Sequence, residues 1–281
     1  MKFSLFLFHI IPMNFSTLDT VLNSVFPSET AWKDDKIGIQ IDIYPPDTSI
    51  VKVLIAYEIN DEVVSEAKHL NVQLICAFHP LIFNPLSSIV QNDRVGKIVH
   101  TLIQSKIGVF IIHTNFDAHP KGTNILAAEA LGLSNNSLTM LVPDKKHDSF
   151  GMGIIGDIDK PIPVNAFVQH CSRIFSAPIS YTIGKNDTIS RIAMVCGSGM
   201  TYFNEALSSG ADCFITADIK YHHFHEAKGN ITLIDPGHAQ MEQFVARGLL
   251  NILTSIPDFS DIEFIVSEVR TSPVSYMMHQ D

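Results

Sequence analysis

Glu62–His79 reads EVVSEAKHLNVQLICAFH, a stretch of helical period, a helix stop, and then an apolar run that ends at Phe78 and delivers His79 just ahead of Pro80. A helix that hands over to an uninterrupted apolar strand is the unit of parallel sheets covered on both faces. The reading here is a helix over Asp61–His69 and a strand over Val72–Phe78. The same alternation continues outward. Strands are expected at Val51–Tyr57, Gly108–His113, Gly151–Gly156, Arg191–Cys196, Asp212–Thr216 and Ile231–Asp235. Helices are expected at Arg94–Ser105, Thr123–Leu131, Val164–Phe175, Tyr202–Ser208 and Ala239–Leu253. The fold class is therefore α/β, with mainly parallel or mixed sheets. Gly132 and Gly210 stand where helix C-termini recruit glycine. Thr201–Asp218 (TYFNEALSSGADCFITAD) repeats the EA pair, the helix stop and the apolar strand of Glu62–His79 at equal spacing, which two α/β halves of similar design would explain, as would chance similarity between any two αβ units.

The chain has 281 residues, 46% of them hydrophobic and 17% charged, enough for one large core or two moderate ones. A formal net charge of −10 with no Lys/Arg-rich run makes nucleic acid an unlikely partner. Cys76, Cys171, Cys196 and Cys213 sit in or beside apolar stretches without CxxC spacing, so reduced core thiols and a cytoplasmic setting are expected. Lys2–Ile11 has the look of a weak signal core but lacks a cleavage site, and Met13 restarts the chain. No apolar run approaches the about 20 residues a membrane helix needs, so no membrane association is expected.

The polar stretch Ser134–Ser149 is the clearest linker. The expected organisation is a discontinuous domain of residues 13–145 plus 231–281, with 150–230 inserted as a second α/β domain.

Three segments carry chemistry. In LIDPGHAQMEQF a strand ends at Asp235 and His238 and Glu242 follow at i and i+4, on one helical face. A metal needs such convergence of an imidazole nitrogen and a carboxylate oxygen. FIIHTNFDAH ends a strand at His113 and offers Asp117 and His119 beyond it, and LICAFHPLIF presents His79 at another strand end. Active sites of open α/β sheets collect past strand C-termini, so the three segments point to one rim. TADIKYHHFHEA adds Asp218, His222, His223 and His225, as substrate-facing groups or as a polar helix rim. Asp235 is either an orienting partner for a ligating imidazole or a loop and cap residue. CGSGMTYF, with Gly197 and Gly199, reads first as a tight turn, since it lacks a P-loop or dinucleotide fingerprint.

Across these motifs the chain resembles the GTP cyclohydrolase 1 type 2 homologues, or Nif-three-like proteins. The similarity runs from about Met13 through DDKIGIQ (Asp34–Gln40), VLIAYEINDEVVSEA (Val53–Ala67), FHPLIF (Phe78–Phe83), HTNFD (His113–Asp117), GTN (Gly122–Asn124), TADIKYH (Thr216–His222), DPGHAQME (Asp235–Glu242) and SEVRTSP (Ser267–Pro273). The resemblance implies divalent metal (zinc, iron or manganese, one or two ions per subunit) held by His79, Asp117, His238 and Glu242, and a homo-oligomer, specifically a hexamer. The family usually carries two adjacent histidines before the proline, and here the first is Phe78, so one of five expected ligands is missing. Cys76, His113 or His119 could stand in. The leading expectation is a metal-dependent hydrolase acting on a small molecule, with nucleotide or phosphoester-like substrates ranked first and Glu242 or His113 moving the proton. The competing expectation is a non-enzymatic metal-binding scaffold or regulatory protein.

Overall fold

The computed structural model describes residues 13–133 and 138–277; the segment Lys2–Ile11 and the NNS of the polar stretch lie outside the described residues. Its strands are β1 (Gly38–Ile41), β2 (Lys52–Ala56), β3 (Leu74–Ala77), β4 (Gly108–Ile111), β5 (Thr139–Pro143), β6 (Gly151–Pro163), β7 (Ser180–Thr182), β8 (Thr188–Met194), β9 (Cys213–Ile215), β10 (Thr232–Asp235) and β11 (Glu263–Val266). One sheet has the order β1-β4-β3-β2-β11 and is parallel except at its β1 edge. The other has the order β5-β6-β8-β9-β10-β7, parallel through β8-β9-β10 and antiparallel at both margins. The expected α/β class with parallel and mixed sheets is what the chain adopts.

Period-two alternation explains why the central strands read as apolar throughout. Val53, Ile55, Leu74, Cys76 and Phe110 turn to one side, where the helices Phe15–Val25 and Val245–Leu253 cover them. Leu54, Ala56, Ile75, Ala77, Val109 and Ile111 turn to the other, under the helices Asp61–His69 and Arg94–Gln104. Each fully buried Val, Leu or Ile contributes on the order of 1.5–3 kcal/mol by leaving water, which is why both faces are covered. The helix Asp61–His69 starts where the Asn60 side chain accepts from the Val63 amide; Asp61 and Glu62 fill its first turn, and Lys68 and His69 its last. Asn71, at φ 55°, breaks it and aims the chain into β3.

The Glu62–His79 unit and its echo occupy equivalent places. Asp61–His69 crosses over between the parallel pair β2 and β3, and Phe203–Ser208 crosses over between the parallel pair β8 and β9. Gly132 and Gly210 both have positive φ, 80° and 75°, as helix terminators.

Two expectations need correction. The polar linker contains β5, whose exposed-to-intermediate residues pair with β6; an edge strand half in water has no continuous apolar run to betray it. The expected helix Ala239–Leu253 is two helices, His238–Met241 and Val245–Leu253, broken at Glu242. Glu242 leaves helical geometry there and buries its carboxylate in the cavity described below. The second sheet draws its strands from Thr139 to Asp235, and β11 returns to pair with β2 in the first.

Candidate metal centre

The C-terminal ends of β2, β3, β4, β8, β9 and β10 open onto one cavity of about 960 Å³, lined among others by Tyr57, Glu58, His79, His113, Asp117, Asp218, His238 and Glu242. The three strand-end motifs do meet. His79 Nε2, His238 Nε2 and Glu242 Oε2 converge, with Oε2 3.4 Å from the first nitrogen and 3.1 Å from the second. Together these residues offer ligand atoms within 4.8 Å of one another, a group that could hold a metal ion.

Each imidazole is aimed by a carboxylate on its other nitrogen. His79 Nδ1 donates to Glu58 Oε1 at 3.1 Å and His238 Nδ1 to Asp218 Oδ2 at 2.7 Å. Fixing Nδ1 in this way turns Nε2 toward a common point, the usual outer support of a metal-binding imidazole. Asp218 is itself held by the Ser198 hydroxyl. Glu242 is 3% exposed, and its Oε1 sits 2.7 Å from where a Cβ on Gly197 would be, so glycine at 197 is required by the carboxylate that packs there.

The electrostatics of the chain's own groups suit a cation. Burial alone would lower the His79 pKa, but Glu242 and Glu58 outweigh it and raise it to about 9. At His238 burial is likewise overcome, by Asp218 and Glu242, and the pKa rises to about 10. Burial would push the Glu242 carboxyl up, yet the two imidazoles hold it well below the usual carboxylate range. Asp117 moves the other way: burial, then the charge of Glu242, raise it. Two buried carboxylates facing one cavity, balanced in the metal-free chain only by imidazoles that take up protons, are a donor set that a divalent ion would satisfy.

Asp117 falls outside the close group of three. It lines the cavity, is 7% exposed, and its Oδ1 has no hydrogen-bond partner among the described residues. A buried oxygen left in that state is costly unless something outside the chain satisfies it. The donors present, two imidazoles and two carboxylates, fit a divalent cation of the zinc, iron or manganese type.

Of the residues considered as substitutes for the missing imidazole, His113 lines the cavity, whereas neither Cys76 nor His119 does. Cys76 faces the core, where burial lifts its thiol to about 12. His119 packs between Phe26, Phe116 and Phe150, and burial lowers its pKa to about 4. His222, His223 and His225 lie on the helix Tyr221–Ala227 away from this cavity, the polar-rim reading. Asp235 accepts from the Gly237 and Ile219 amides, the loop role. Gly197 and Gly199 form a tight turn tied to Thr216.

Sequence reasoning missed Tyr57 and Glu58 just past β2, and Asp35 of the DDKIGIQ stretch. The Tyr57 hydroxyl donates to Glu242 Oε2 at 2.6 Å. Asp35 accepts from His113 Nδ1 at 2.9 Å and from the Thr114 hydroxyl at 2.5 Å. Tyr57 and Glu58 were findable by the strand-end rule that found His79; Asp35 lies on a loop distant in sequence and had no such signal.

Comparison with known proteins agrees with this architecture. The pattern of the Duf34/NIF3 (NGG1p interacting factor 3) family matches residues 13–273. A Clostridium perfringens protein named GTP cyclohydrolase 1 type 2 homolog is 28% identical, covering 94% of this chain and all of its own. A protein of the same name from Lactococcus lactis is 33% identical, covering 78% of this chain and 83% of its own. A hypothetical protein of Staphylococcus aureus superposes with a TM-score of 0.84 at 28% identity, over 95% of this chain and all of that one. The chain belongs to the Duf34/NIF3 family.

Proposed function

We propose that this protein is a metal-dependent hydrolase whose cavity takes a nucleotide or phosphoester-like small molecule. The observation that carries the reading is the convergence of His79, His238 and Glu242 around one point, with each imidazole fixed by a carboxylate and Asp117 Oδ1 left unsatisfied beside them. His79, His238, Glu242 and Asp117 would hold the ion, which when bound would polarise a substrate oxygen and lower the pKa of a water molecule.

The chain's own groups supply the rest. His113, positioned by Asp35 through Nδ1, presents its other ring nitrogen on the cavity wall and is the group placed to accept or return a proton. Glu242, shared between both imidazoles and the Tyr57 hydroxyl, anchors the site and is the second candidate for proton transfer. Trp32, exposed at the rim, donates through its ring nitrogen to the Tyr202 hydroxyl, and with Phe83 and Tyr276 it offers flat apolar surface for a heterocyclic ring. Among the described residues that line the cavity there is no Lys or Arg, so the charge of a phosphate would have to be matched by the cation.

A cytoplasmic setting is supported by four free, buried cysteines. No helix among the described residues is long and apolar enough to cross a membrane. A homohexamer is proposed from family resemblance, and light scattering that returns the monomer mass would remove it.

The test is turnover of a nucleotide and phosphoester panel by metal-loaded protein beside its His238→Ala variant. Loss of activity by more than the about 10–100-fold typical of removing an outer partner of a ligand is expected. Activity unchanged in the variant would remove the site; metal bound with no turnover of any compound would leave a non-enzymatic metal-binding protein.

A further inference from the structure

Resting on the metal-binding reading above, we propose that the centre is built for a single ion, with the Tyr57 hydroxyl holding Glu242 in place between the two imidazoles. Tyr57 approaches Glu242 from the first sheet. Its ring lies 4.6 Å from the His79 ring and stacks at 6.1 Å and 14° on Phe78, which is fully buried. Phe78 in turn meets the His113 ring edge-on at 5.2 Å. This flank is therefore a wall of packed rings, and Phe78 offers no donor atom to an ion.

Counting donors gives the same answer. Among the described residues His79, His238 and Glu242 are the one group of three or more His, Cys, Asp or Glu whose ligand atoms all lie within 4.8 Å of one another. The other carboxylates at the rim are already engaged: Glu58 with His79, Asp218 with His238 and Ser198, Asp35 with His113 and Thr114. Among the described residues Asp117 Oδ1 is the one unpartnered buried carboxylate oxygen there, and with the second ring nitrogen of His113 it makes two donors, short of the three or more protein ligands a second site would need. A carboxylate oxygen has two in-plane lone pairs. At Glu242 Oε2 the Tyr57 hydroxyl is 2.6 Å away, and the imidazole nitrogens of His79 and His238 lie at 3.4 Å and 3.1 Å. Tyr57 is thus a positioning residue: it donates to the Glu242 oxygen that lies nearest both imidazoles and fixes that carboxylate for the ion between them.

The experiment measures metal content of the full chain after loading with manganese and desalting, by mass spectrometry, together with its electron paramagnetic resonance spectrum. One manganese per chain and the hyperfine pattern of an isolated ion are expected. Two per chain, or an exchange-coupled spectrum, overturns the single-ion assignment and leaves the metal reading standing; none bound overturns the metal reading itself and this inference with it. Tyr57→Phe keeps the ring and its packing, and manganese affinity is expected to fall about 10–100-fold, the range for losing an outer hydrogen-bond partner of a ligand. Unchanged affinity in a variant whose metal-free melting matches the parent overturns the role of Tyr57, and if that variant does not fold the stoichiometry of the parent chain still decides the ion count.

Discussion

The two sheets each contribute one imidazole to the same point, yet they hold it differently. His79, past β3, is enclosed by the rings of Tyr57, Phe78 and His113, and its orienting partner Glu58 comes from the end of the neighbouring strand. His238, past β10, stands among turns: Gly237 at φ 93° before it, Gly197 at φ 67° facing Glu242, and Asp218 at φ 56° accepting its proton. One half supplies rigid packing and the other close backbone approach. Glu242, between them, is the group both halves share. The comparison teaches that the centre is a joint between two sheets, so a change on either side should be felt as metal affinity, while changes on the ring side should also be felt as stability.

Removing the shared group gives the largest expected effect. Glu242→Ala should abolish retention of metal through desalting, since it strips the carboxylate facing both imidazoles; retention at the parent's level would break the picture of a joint. Phe78→Ala should cost about 3–5 kcal/mol in chemical denaturation, the usual range for emptying a fully buried phenylalanine. The matching change on the other side, Asp218→Asn, should cost less, on the order of 1 kcal/mol, because the pair it weakens with His238 is about half exposed. A comparable cost at both positions would erase the difference between the halves. For metal affinity the order reverses. Asp218→Asn and Glu58→Gln should each weaken binding within about 10–100-fold. The Asp218 change should be the greater, because its contact is 2.7 Å against 3.1 Å.

The pH dependence of the metal-free protein follows from the raised imidazoles. His79 and His238 titrate at about 9 and about 10 in the folded chain, above the ordinary histidine value of 6.5. The folded state therefore binds more protons than the unfolded one above pH ~6.5, so stability falls with rising pH across that window. Their contribution is complete below pH ~6.5 and lost by about pH 10. Melting temperatures of chelator-treated protein from about pH 6 to 10 should decline, and metal uptake near neutrality should release protons; a rising melting temperature would contradict the charged pair. The smallest effect is expected at His222→Ala, on the surface helix, which should leave metal affinity unchanged.

How much of this was legible in sequence follows from where each signal came from. β2, β3 and β4 could be read because helices cover both their faces, and an unbroken apolar run of strand length seldom arises in any other setting. β1, β5, β7 and β11, at sheet margins and partly in water, left no such run. His79, His238 and Glu242 were found because each follows an apolar strand or sits one helical turn from a residue that does. Their convergence depended on the rule that sites gather past strand ends. Tyr57 was hidden by its own chemistry: an aromatic residue ending an apolar strand reads as core, and only the 2.6 Å contact with Glu242 reveals its hydroxyl as part of the site. The helix break at Glu242 was invisible because its i+4 spacing from His238 is what an unbroken helix would also show.

The central claim is that the two sheets close on a metal ion. Anomalous scattering from crystals of metal-loaded protein, recorded on both sides of the metal's absorption edge, tests it most directly. The account predicts a peak within about 2.0–2.2 Å of His79 Nε2, His238 Nε2 and a Glu242 oxygen; a map without a peak among these three side chains would contradict it.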